Sequence, residues 1–95
     1  TYGKHMSLET FNNSIKFAKL FKDLNTIQVS GGEPTEHPNI LYILKTLLIE
    51  FNFPITLITN GEKLNDKSFR KEIFKLLKTH PNFLFQITNI KGIYR

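Results

Sequence analysis

Apolar side chains recur along this chain at two alternating spacings, and the alternation predicts the fold. From residue 8 to residue 24, Leu8, Phe11, Ile15 and Ala18 fall three or four apart, with Phe17, Leu20 and Leu24 widening the same stripe. This is the period of an α-helix. Ser7 offers an N-cap oxygen, and Glu9 suits the positive end of the helix dipole. Residues 26–30 are short and β-branched without full alternation, which suits a strand buried in a parallel sheet. Helical spacing returns with Ile40, Leu44, Leu47, Leu48 and Phe51, predicting a helix over 38–51. Pro38 fits its first turn, where a missing N–H does no harm, and Asn52 and Pro54 stop it. Residues 55–59 read as a second strand. Phe69, Ile73, Leu76 and Leu77 then mark an amphipathic helix over 67–79, capped by Asp66 or Ser68. Residues 83–88 read as a third strand, and residues 89–95 as a frayed tail.

The predicted order is helix, strand, helix, strand, helix, strand. Strands alternating with helices at these lengths imply parallel pairing through right-handed crossovers, an α/β fold. Asn60-Gly61 is a strong hairpin signal, but the segment after it is polar and lacks strand alternation, so a loop at a strand end is the better reading. All 95 residues fit one small partial domain. Three parallel strands would leave outer edges with unpaired backbone groups.

Composition narrows the function classes. A 40% hydrophobic content is ordinary for a folded domain and argues against disorder. The longest apolar runs are too short to cross a bilayer, and no signal-peptide layout is visible, so a cytoplasmic location is the expectation. The net charge of +5 comes from scattered lysines with only two arginines, Arg70 and Arg95. A nucleic-acid surface would show a denser basic stripe with aromatic platforms. His5, His37 and His80 lack metal-ligand spacing, and the absence of cysteine excludes disulfides and thiolate sites within this chain. His5 and Met6 read as a loop residue and a packing residue.

Candidate chemistry gathers where strands end, since ligands of α/β sheets collect beyond the carboxyl ends of their strands. Three polar strand ends would share one rim: residues 30–33, residues 59–61, and Thr88 with Asn89. Gly31 and Gly32 let a ligand approach the backbone, because no Cβ stands in the way. The carboxylate of Glu33 and the neighbouring carbonyls make that surface an acceptor, suited to an ammonium group and poorly suited to phosphate. The plainer reading is that Gly31 and Gly61 turn the chain while Asn60 and Asn89 cap local backbone. It is weakest at residues 31–34, where four special residues coincide.

Gly31, Gly32, Glu33 and Pro34, with Thr59-Asn60-Gly61 further on, resemble the radical S-adenosylmethionine (SAM) superfamily. The resemblance covers about residues 6–88. It implies a segment of a partial, TIM-like α/β barrel. Its Gly-Gly-Glu-Pro motif would hold the amino group of the methionine moiety of SAM through its backbone, assisted by Glu33. It implies a cofactor site made of Gly31, Gly32, Glu33, Pro34, Asn60 and, more loosely, Thr88 on the ribose or substrate. It also implies a parent enzyme that cleaves SAM reductively with a [4Fe–4S] cluster to give a 5′-deoxyadenosyl radical. The cluster's three cysteines, spaced C-x-x-x-C-x-x-C, are absent here, so no catalytic or metal residue is assigned. The expectation is a truncated fragment, inactive alone, whose partners are SAM and the missing remainder of the parent chain.

Two other readings stand beside this one. A non-catalytic module could self-associate through a bared sheet edge by strand addition. A nucleotide-binding α/β domain is a further alternative, although neither Gly-x-x-x-x-Gly-Lys-Ser/Thr nor Gly-x-Gly-x-x-Gly occurs.

Overall fold

The computed structural model describes residues 7–89 and the backbone of residues 92–94. His5 and Met6 lie outside the described residues. Helix α1 (Leu8–Ala18) leads to strand β1 (Ile27–Val29), helix α2 (Ile40–Glu50), strand β2 (Ile55–Thr59), helix α3 (Lys67–Thr79), strand β3 (Phe83–Asn89) and strand β4 (Gly92–Tyr94). The sheet runs in the order β1-β2-β3-β4. The first three strands are parallel, with Ile27 beside Ile55 and Ile55 beside Phe83. Strand order therefore follows chain order, the arrangement of a barrel wall, in which each new unit adds beside the last.

All three helices feed one buried cluster. Phe11 and Ile15 come from α1, Ile43, Leu44, Leu47 and Leu48 from α2, and Phe69, Ile73 and Leu76 from α3. They meet Ile55, Leu57 and Phe83 of the sheet. Burial alternates along β2, with Ile55, Leu57 and Thr59 inward and Thr56 and Ile58 half-buried. Period-two geometry thus gives the helices one face of the sheet. The opposite face carries Gln28, Leu84, Gln86 and Thr88, all exposed. At the amino ends of the strands, Asn82 donates through Nδ2 to the carbonyls of Phe51 and Phe53 at 3.2 and 3.0 Å, tying two connections together. Among the described residues no helix is long and apolar enough to cross a membrane.

The structure corrects four expectations. The first helix, expected over 8–24, ends at Ala18. Beyond it Leu20 N–H bonds to Phe17 and Phe21 N–H to Ala18, each three residues back, so the α-helical ladder has closed. Phe17, Leu20 and Phe21 are then 61%, 74% and 55% exposed, outside the core that the stripe suggested. The second helix, expected from Pro38, begins at Ile40. The proline that opens a helical turn is Pro34, at the start of a short 3₁₀ turn, Pro34–Glu36, which uses up the segment before α2. Third, the expected tail contains β4, antiparallel to β3, with Ile87 beside Tyr94 and Asn89 beside Gly92. That pairing satisfies backbone groups that the edge of β3 would otherwise expose. Strand β1 is also shorter than the expected 26–30, because the chain leaves the ladder before Gly31.

These contacts predict contrasting costs for two leucines. Leu44→Ala, at a fully buried site, should destabilise by about 2–5 kcal/mol in urea unfolding. Leu20→Ala, beyond the true helix end, should stay within about 0.5 kcal/mol of wild type.

Candidate functional site

The loop that leaves β1 cannot follow an ordinary path. Gly31 has φ of 89° and Gly32 φ of 52°, in the left-handed region that favours glycine. Both are exposed, and a Cβ on either would meet nothing within 4 Å. Backbone conformation, not crowding, requires glycine at these two positions.

Glu33 follows and reaches across to the end of β2. Its Oε2 accepts from the Thr35 N–H at 3.1 Å and from the hydroxyls of Thr35 and Thr59. Its Oε1 accepts from the Asn60 N–H at 2.8 Å. The Glu33 side chain also caps the 3₁₀ turn in which Pro34 is buried. Parallel pairing of β1 and β2 brings the two strand ends to the same side, so the glycine loop and Asn60 share one mouth.

The end of β2 has its own wiring. Gly61 N–H donates to the Thr59 hydroxyl at 3.2 Å, and Glu62 N–H donates to Asn60 Oδ1 at 2.9 Å. Asn60 therefore binds the motif through its backbone and caps the next turn through its side chain. Gly61 turns at φ of 85°, and a Cβ there would meet Ile87 Cγ2 at 3.0 Å. Thr88, on β3, donates through its hydroxyl to the Thr59 carbonyl at 3.4 Å, a long contact toward the same rim. The side chain of Asn89 lies outside the described residues.

Burial of the Glu33 carboxyl acts to raise its pKa and is the largest single influence. The hydroxyls of Thr35 and Thr59 and the N–H groups of Asn60 and Thr35 together outweigh it, holding the group below its ordinary value. The carboxylate is the form that these donors select.

Thr35 was not singled out in the sequence, and Thr59 only as part of the polar strand end 59–61, yet they are the two buried polar side chains of the described core. A signal for Thr59 was present. Ile55 and Leu57 point inward at period two, which puts Thr59 on the core side, where a hydroxyl requires a partner. Thr35, two residues after the acid, carried no comparable pattern.

The described architecture is a parallel α/β sheet with a glycine-and-acid loop at the carboxyl ends of its strands. A family model described as the Radical SAM superfamily matches residues 1–88, and the chain belongs to that superfamily. No curated protein and no solved structure matches it. Membership implies SAM and a [4Fe–4S] cluster in proteins of the family. The exposed backbone at Gly31 and Gly32, which carries no Cβ, is compatible with close approach of a small group such as the ammonium of SAM. The cluster does not fit these residues: the chain has no cysteine to supply a thiolate. Among the described residues no group of three acidic or histidine side chains could hold a metal ion instead.

The lowered pKa of Glu33 sets a pH dependence. The folded value lies below the ordinary one, so the stabilising contribution is full above the ordinary value and is lost as pH falls through the lowered one. Acid unfolding followed by circular dichroism should show wild type losing stability more steeply than Glu33→Gln as pH falls below the ordinary glutamate range.

Proposed function

We propose that this segment gives a radical SAM enzyme its site for the amino group of the methionine moiety of SAM. The observation that carries the reading is the exposed backbone of Gly31 and Gly32, in a loop whose Glu33 accepts from the Asn60 N–H. An ammonium is a donor without acceptor capacity, so a surface of carbonyl oxygens without a Cβ suits it. Pro34 keeps the loop rigid by fixing its own φ. Thr88 belongs to the same rim, and a ribose or substrate contact there extends the reading. When bound, SAM would supply the adenosyl group for the family's radical chemistry. The residues of this chain bind and orient its amino-acid end, and no step through an iron–sulfur cluster is assigned to them.

Titrating the ¹⁵N-labelled chain with SAM tests the assignment. Amide shifts should concentrate at Gly31, Gly32 and Asn60, and a SAM analogue lacking the amino group should not reproduce them. Equal responses to both compounds, or shifts confined to other parts of the sheet, would remove the assignment. Gly31→Ala should weaken binding by roughly ten-fold, since a left-handed residue with a Cβ costs about 1–2 kcal/mol.

A second reading, self-association, is favoured by the position of β1. Among the described strands it pairs only with β2, so no described strand covers its other edge, the kind of edge that strand addition uses. Sedimentation velocity over a hundred-fold concentration range should then show a dimer at the upper end. A proline at Gln28 should abolish the dimer by removing a backbone donor.

A further inference from the structure

Two threonine hydroxyls converge on one carboxylate oxygen from opposite sides of the loop. Thr35 is 3% exposed and Thr59 2% exposed, and both hydroxyls donate to Glu33 Oε2. Thr59 sits at the inward position after Ile55 and Leu57, where valine would have the same shape. A hydroxyl there carries a desolvation penalty unless it is bonded. Its direction is fixed from behind, because its oxygen already accepts from the Gly61 N–H. Its proton is thus left for Glu33. With the Thr35 and Asn60 N–H groups added, Oε2 takes three donors and Oε1 one, against about four lone-pair sites in a carboxylate. Oε2 is thus fully committed to the protein, and the remaining acceptor capacity lies on Oε1, which already holds the Asn60 N–H.

We infer that Thr59 and Thr35 are positioning residues for SAM: they hold Glu33 as a clasp between the β1 loop and the end of β2, and the clasp, not direct pairing of Glu33 with the ligand, presents the Gly31 and Gly32 carbonyls to the ammonium. This rests on the reading of Gly31 and Gly32 as the ammonium site. The competing role for Glu33, a counter-ion touching the ammonium, makes the opposite prediction. Removing a threonine donor would then free an acceptor on Oε2 and tighten binding.

The test combines two readouts on the full chain, SAM affinity from chemical-shift titration and hydrogen exchange of the Asn60 amide without SAM. Thr59→Val should weaken SAM about ten-fold and speed Asn60 exchange by a similar factor, the scale of one hydrogen bond to a charged group. Thr59→Ser, which keeps the hydroxyl, should restore both. Should Thr59→Val not fold, Thr35→Val removes the other hydroxyl from the same oxygen and should shift both readouts in the same direction. Affinity unchanged or tightened in the valine variants would overturn the inference, as would unaltered Asn60 exchange. Absence of any SAM response in the wild-type chain would defeat the ammonium reading and the positioning role together. A wild-type response that the valine variants leave intact would defeat the positioning role alone.

Discussion

Parallel register between β1 and β2 is the constraint on which the rim depends. Because Val29 lies beside Leu57, both chains leave the sheet at the same end. Glu33 can then accept from the Thr59 hydroxyl and the Asn60 N–H, residues 26 and 27 positions further along the chain. An antiparallel pair would have sent the two strand ends to opposite ends of the sheet. The local turn around Pro34 could still form, but it would have no second strand to hold.

Burial supports this arrangement from beneath. The core face of β2 is apolar at Ile55 and Leu57 and polar at Thr59, so the hydrophobic layer gives way to hydrogen bonding at the last residue of the strand. Packing of α2 and α3 against Ile55 and Leu57 restrains the strand, and the strand presents Thr59 to Glu33. Ordering the loop is entropically opposed. Four donors on one carboxylate offset part of that cost without burying further apolar surface. The exposed face of the loop remains open to solvent while its underside is tied to the domain.

Much of this organisation was legible in the sequence because it follows from spacing. The apolar faces of α2 and α3 and the three parallel strands are set by periodicities of 3.6 and two, which survive without tertiary information. The glycine-acid-proline run was legible because each residue type has a narrow conformational or chemical use. The C-terminal stripe of α1 misled because Phe17, Leu20 and Phe21 have the right spacing but stay exposed among the described residues. Periodicity reports a possible face, not the presence of a partner for it. Strand β4 was hidden because its pairing depends on an edge that only the assembled sheet supplies. The bond from Thr59 to Glu33 was hidden for a similar reason, since the two become neighbours only when the strands align, whereas Thr35 lies two residues from Glu33 in the same turn.

The contact between Gly61 and Ile87 ties the history of two positions together. Any side chain at 61 meets two separate objections, a handedness that its own backbone imposes and a methyl group at 3.0 Å from the neighbouring strand. Trimming residue 87 answers the second and leaves the first untouched. Drift at position 61 therefore has no single-step compensation, while residue 87 is free to shrink as long as the glycine stays. The turn that ends β2 should change more slowly over generations than the strand packed against it.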